Sequence, residues 1–140
     1  MNTESLMPSP VRDTRGSIAV EFALILPVFL LLMLGGLELG FVLYTGSSIQ
    51  NAARNAVRQL ALGTLDRDDL KASIDAAIPS WAVDAYTFSI SDSDPGDKSK
   101  NEITVLLAVD AAQAAPIQFL TPDGLFDFSI RVVMKEEDYI

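Results

Sequence analysis

Cysteine and histidine are both absent from the 140 residues of the sequence. Without cysteine the chain cannot form disulfides or offer a thiol nucleophile, and without either residue it cannot build a Cys/His zinc site. Histidine is also the commonest general base, and no serine is followed three residues later by the lysine of an SxxK pair. We therefore expect a protein that is not an enzyme and that needs no cofactor.

Positive charge is scarce. Lys and Arg together number 10 against 19 Asp and Glu, which gives a net charge of −9 at pH 7. Nucleic-acid binding depends on basic side chains that neutralise phosphates, and anionic membrane surfaces attract basic segments for the same reason. The composition argues against a nucleic-acid partner and against electrostatic adhesion to an anionic bilayer.

The most prominent feature is an apolar stretch over residues 16–44. Residues 22–37 contain no charged side chain, and the extension to residue 44 adds only Glu38. About 20 helical residues cross the roughly 30 Å hydrocarbon core of a bilayer, and a segment in lipid must satisfy its backbone polar groups internally. The stretch predicts one transmembrane helix over residues 17–44, with Glu38 near the outer interface, where its carboxylate reaches water.

The residues at the front edge of this stretch differ from those of an ordinary anchor. Residues 1–16 are polar, contain Arg12 and Arg15 and show no periodicity, so we interpret them as a leader. Glu21 lies inside the apolar run, five residues after Gly16. A carboxylate near the bilayer centre costs about 3 kcal/mol, so an acid within a membrane helix indicates a function.

The order of these features, a basic leader followed by a glycine and then this glutamate, is similar to that of the type IV prepilin processing site. More widely, the chain resembles the TadE-like pseudopilins of tight-adherence (Flp) pilus systems. The matching segments are residues 15–27, the pair Gly35 and Gly36, residues 49–58 and, loosely, residues 132–136.

The resemblance implies a processing site and a mode of assembly. A prepilin peptidase would cleave between Gly16 and Ser17, and Glu21, followed by Phe22, would pair with the free amine of Ser17 on a neighbouring mature subunit. The implied partners are that peptidase, other pilins or pseudopilins, and the assembly platform in the bacterial inner membrane. The N-terminus would be cytoplasmic, residues 45–140 would form an extracytoplasmic domain, and the subunit would help to initiate or assemble the pilus.

Small residues and one proline indicate that the apolar helix packs against other helices. Ala19 with Ala23, and Gly36 with Gly40, form small-xxx-small pairs that permit close helix approach. Pro27 removes a backbone donor and clashes with the carbonyl of Ala23, which predicts a kink or local unwinding there.

Beyond the apolar stretch, the sequence predicts more helix. Apolar residues recur at helical spacing over residues 49–61 and Gly63 supplies a cap, so the first helix is predicted to continue to residue 62 unless residues 46–48 interrupt it. A second helix is predicted over residues 64–79, capped by Thr64 or Asp66, with Trp81 holding it to the domain.

The remaining residues predict strands and loops. Alternating patterns mark strands at residues 85–91, 102–110 and 125–134. A three-stranded antiparallel sheet packed on the long helix would make the fold α+β. The loop after the second strand contains an apolar patch at Ile117, Phe119 and Leu120.

The turn between the first two strands contains Asp92, Asp94 and Asp97. Their spacing is not that of an EF-hand, so we interpret them as a solvated turn, with calcium binding left open.

Two other readings of the chain remain. It could be a single-span membrane protein, uncleaved at Gly16, whose external domain serves as a binding or adaptor module of a secretion system. It could also be a domain released by signal peptidase after about residue 46.

Overall fold

The computed structural model describes residues 14–119 and 127–136. Three predicted features fall at least partly outside the described residues: residues 1–13 of the leader predicted over residues 1–16, Leu120 of the apolar patch, and residues 125–126 at the predicted start of the third strand. The fold is α+β, as the sequence predicts. Its elements, in chain order, are α1 (Thr14–Ala61), α2 (Leu70–Asp75), a 3₁₀ turn (Ser80–Ala82), β1 (Tyr86–Asp92), β2 (Glu102–Val109) and β3 (Phe128–Lys135).

The chain divides into two compact units, one that runs up to Met33 and one that begins at Leu34. In the first unit the large apolar side chains of α1 are exposed, from 37% for Leu26 to 73% for Leu32. A helix that is apolar on all sides has no aqueous face, which is the property of a membrane span. Within the described residues, α1 is the one helix that is long and apolar enough to cross a membrane, and its most apolar window has a mean hydropathy of 2.5.

Helix α1 continues without interruption through residues 46–48 and ends at Ala61. Gly63, at a φ of 68°, takes the left-handed conformation that favours glycine. Its N–H donates to the carbonyl of Leu60 at 3.0 Å, and the N–H of Thr64 donates to the carbonyl of Gln59 at 2.9 Å. These two bonds form a Schellman motif, so the predicted glycine cap is confirmed.

The second unit has one apolar core. On α1 the predicted stripe is buried, and its members are Ile49, Ala52, Ala53, Ala56, Val57, Leu60 and Ala61. The same core contains Leu70 and Ile74 of α2 and the inward-facing residues Val105 and Leu107 of β2. Fully burying a Leu, Ile or Val side chain stabilises a fold by about 1.5–3 kcal/mol, so this core holds α1, α2 and the sheet together.

The sheet is antiparallel in the order β1-β2-β3. In the register, Tyr86 of β1 pairs with Val109 of β2, which pairs in turn with Phe128 of β3. Side chains alternate along β2 between buried and less buried positions, which places one sheet face on the core. The predicted hairpin and the predicted third strand are both present, with strand ends that differ from the prediction by at most three residues.

The prediction of a second helix over residues 64–79 is wrong in extent, because only Leu70–Asp75 is helical. Thr64 is not its cap, since the Thr64 hydroxyl donates to the carbonyl of Gln59 at the end of α1. The N-cap is Asp69, whose side chain makes no capping hydrogen bond. Residues 66–69 instead form turns, in which the N–H of Asp69 donates to the carbonyl of Asp66 at 3.2 Å, and Arg67 binds Asp92 of β1.

Trp81 contacts α1. Its ring packs edge-on against Phe41, with centroids 6.1 Å apart, and its indole N–H donates to the hydroxyl of Thr45 at 3.2 Å. The tryptophan therefore joins the 3₁₀ turn directly to the long helix.

Candidate functional site

The first candidate site is the start of α1. The Ser17 hydroxyl donates to a carboxylate oxygen of Glu21 at 3.3 Å, and both residues are exposed. Residues four apart lie above one another on a helix, so the predicted processing and assembly residues share one face. Phe22 beside them is also exposed. A hydroxyl does not neutralise a carboxylate, so in lipid Glu21 still needs a cation to offset its lost hydration.

The predicted packing residues are also accessible. Ala19 and Ala23 are exposed, and a Cβ added at Gly36 or Gly40 would meet no atom within 4 Å. The two glycines lie in a shallow apolar groove of about 410 Å³ that is lined by Gly36, Leu37, Gly40, Phe41 and Tyr44. The helix is continuous through Pro27, and the kink predicted there stays a prediction.

Glu38 differs from its prediction. It was expected to reach water, but it is 1% exposed, and one of its carboxylate oxygens accepts the backbone N–H of Phe119 at 3.0 Å. Seven residues later, buried Thr45 donates its hydroxyl to the carbonyl of Ala114 at 2.7 Å. Two polar groups on one face of α1 therefore bind the loop that follows β2.

Sequence reasoning missed this second site, although a signal was present. The buried positions of α1 before the predicted stripe are Gly35, Glu38, Val42, Thr45 and Gly46. They follow the same helical spacing as the later alanines, so the buried face of the domain begins at Gly35, not at Ile49. The pattern was obscured because most residues around it are apolar as well.

The acidic turn is tied to its surroundings by specific contacts. Arg67 forms a two-pronged ion pair with Asp92 at 2.6 and 2.7 Å. The hydrogen bond from this guanidinium, with a further one from Asn101, holds the pKa of Asp92 below its ordinary value against the opposing effect of burial. Asp97 is engaged by Lys100 at 2.6 Å and by the hydroxyl of Ser99. The interpretation of the turn as solvated holds for Asp97, whose side chain is 37% exposed, but it is wrong for Asp92, whose side chain is 15% exposed.

These carboxylates do not converge on a shared point. In the described part of the chain, no group of three or more His, Cys, Asp or Glu residues is arranged to hold a metal ion. Asp94 contributes its backbone N–H, which donates to Asn101. The geometry gives no support to the calcium reading.

Helix α1 is apolar and exposed up to Met33, and the unit that begins at Leu34 is a small α+β domain with one core. Residues 16–58 match the family model described as TadE-like protein, which covers less than half of the chain. No curated protein and no solved structure matches this chain. The chain thus carries a TadE-like segment over residues 16–58, as its resemblance predicts.

Proposed function

We propose that the protein is a minor pseudopilin with a structural, non-enzymatic role in initiating or assembling a Flp-type pilus. It is cleaved by a prepilin peptidase between Gly16 and Ser17. The observation that carries this proposal is the pairing of Ser17 and Glu21 on one exposed face at the start of an apolar helix. The TadE-like match, which begins at residue 16, supports the same assignment.

The mechanism is helix packing in a low-dielectric environment. Cleavage frees the amine of Ser17, which is a cation at neutral pH. When mature helices pack side by side, the carboxylate of Glu21 pairs with the Ser17 amine of a neighbour, and this charge pair sets the register between subunits. If the helices pack in another register, Glu21 has no Ser17 amine nearby. Its buried charge is then uncompensated, which costs several kcal/mol.

The small residues supply the close contact that such pairing needs. Gly36 and Gly40 open a groove in the helix surface, and Ala19 and Ala23 allow approach near the charge pair. The major Flp pilins, which form the bulk of the fibre, are almost entirely helix. This chain also has a domain that begins at Leu34, so we assign it to the minor components of the pilus. Its partners are the other pilins, the peptidase and the inner-membrane assembly platform.

The first test is the N-terminal sequence of the protein in both the membrane and the soluble fraction of cells with and without the prepilin peptidase. We expect a start at Ser17 that depends on the peptidase. An intact leader in both strains would establish the uncleaved single-span adaptor, and a start near residue 46 would establish release by signal peptidase.

The second test separates the charge of Glu21 from its hydrogen bond. Glu21→Gln should leave membrane insertion and cleavage intact but abolish most pili, because the amide cannot neutralise an amine. Ser17→Ala is the matched control, since it removes the 3.3 Å hydroxyl contact yet keeps the N-terminal amine, and it should retain pili. Normal piliation in Glu21→Gln would contradict the charge-pair mechanism.

A further inference from the structure

A group of exposed apolar side chains surrounds the part of α1 that carries Glu38 and Thr45. We call it the apolar rim, and its members are Leu37, Tyr44, Trp81, Ile117 and Phe119, which are each 40–57% exposed. They come from three separate segments: α1, the 3₁₀ turn and the loop after β2.

The buried polar contacts explain why these segments meet. Phe119 is placed by its N–H bond to Glu38, and Trp81 is placed by its bond to Thr45 and its ring contact with Phe41. The positions from Glu38 to Thr45 span roughly 10 Å along a helix, at 1.5 Å per residue. Two of the five rim side chains, Phe119 and Trp81, are therefore held beside this stretch of α1 by specific bonds.

The chemistry of the rim fits a lipid interface. None of its five members carries a charge, and Trp and Tyr are the side chains that concentrate at the boundary between headgroups and acyl chains. The indole N–H of Trp81 already has a partner inside the protein, so its ring can enter an apolar medium without losing a hydrogen bond. A cluster of exposed apolar side chains marks an interaction surface.

The continuity of α1 identifies the occupant. Because Glu38 is buried, α1 presents no exposed charge between Glu21 and Arg54. That interval exceeds the roughly 20 residues that a bilayer core requires, so uncharged surface remains at the level of the headgroups. The rim extends this uncharged surface from the helix onto the domain.

We propose that the apolar rim inserts into the outer headgroup–acyl boundary of the bilayer and seats the domain against the membrane before assembly. The attraction is hydrophobic, which agrees with an acidic domain that has no electrostatic affinity for anionic lipid. The proposal rests on the membrane insertion of α1 assumed in the proposed function, but not on cleavage or on the role of Glu21.

The test uses Trp81, which is the only tryptophan in the chain. The full chain is reconstituted at low density into vesicles of phosphatidylcholine and phosphatidylglycerol, with bromine atoms on the acyl chains near the headgroups. We expect brominated lipid to quench most Trp81 emission and aqueous iodide to quench little of it. A Trp81→Phe, Lys98→Trp variant is the matched control, because Lys98 lies in the exposed loop at the far end of the sheet, and its new tryptophan should respond to iodide alone.

Flotation of the vesicles after a carbonate wash reports separately on the insertion of α1. If the chain floats but Trp81 responds to iodide and not to brominated lipid, the rim faces water and the inference is wrong, while membrane insertion stands. If neither quencher reaches Trp81, another protein surface covers the rim, which also overturns it. If the chain does not float, both the inference and the membrane-inserted pseudopilin fail.

Discussion

Replacement of Asn101 is expected to destabilise the domain strongly. This residue is 2% exposed and its side chain makes three hydrogen bonds. Its amide donates to Asp92 at 3.2 Å and to Glu136 at 2.8 Å, and its side-chain oxygen accepts the N–H of Asp94 at 3.1 Å. It thereby joins the acidic turn to the ends of β1 and β3.

The size of the effect follows from these bonds. Each contributes about 1 kcal/mol net, so Asn101→Ala should lower the free energy of unfolding by about 3 kcal/mol. For a domain of this size, that corresponds to a fall in Tm of more than about 10 °C. The assay is urea unfolding of the full chain in detergent micelles, followed by the amide signals of β1, β2 and β3, which report on the domain and not on the apolar helix.

Asn101→Asp keeps the shape and changes the charge. The new carboxylate would face those of Asp92 and Glu136, so repulsion adds to the loss of the amide donors. The same repulsion raises the pKa of the introduced group in the folded state, so this variant should regain stability relative to Asn101→Ala as the pH falls from about 7 to about 5. If Asn101→Ala unfolds within about 0.5 kcal/mol of the wild type, the three bonds do not hold the turn in place.

Two further predictions concern other contacts of the domain. Because the folded-state pKa of Asp92 is lowered chiefly by its hydrogen bond with Arg67, the pair stabilises the fold at neutral pH, and this stabilisation is lost as the pH falls below about 4. Arg67→Ala should therefore cost about 1 kcal/mol at pH 7 and nothing at low pH, and an equal cost in urea unfolding at both values would contradict the ion pair. Thr45→Val should cost about 1–3 kcal/mol, because it leaves the carbonyl of Ala114 without this donor and the indole N–H of Trp81 without its acceptor. The emission spectrum of Trp81 in this variant should shift relative to the wild type. An unchanged spectrum with unchanged stability would show that the Thr45 hydroxyl does not bind Trp81.

The sequence predicted the parts of the fold in which apolar residues are buried and the residues between them are polar and exposed. The strands have polar residues between their apolar ones, so alternation was readable, and β1 and β2 lie where it placed them. The later half of α1 was equally clear, because Arg54 and Arg58 face away from Ile49 and Val57.

Two failures have a physical cause in tertiary contacts. The second helix was predicted too long because Thr64 and Arg67 are helix-compatible residues whose partners, Gln59 and Asp92, lie outside the segment. Glu38 was predicted to be solvated because its acceptor role depends on Phe119, 81 residues further along the chain. Local patterns hold no information about such distant partners.

In the candidate site, the resemblance implied that Glu21 pairs with Ser17 of a neighbouring subunit. The contact between the two side chains within one chain was not predicted, although residues four apart on a helix share a face. The contribution of the loop after β2 was not predicted either, since a buried stripe cannot be recognised in a segment where most positions are apolar.

The burial of Glu38 also links folding to hydrophobic length. In an unfolded domain this carboxylate limits the uncharged part of the helix to residues 22–37, which is shorter than a typical span. When the loop containing Phe119 closes over it, the surface of α1 becomes uncharged from Phe22 to Ala53. The folded domain therefore leaves α1 with a longer uncharged surface than the unfolded chain has.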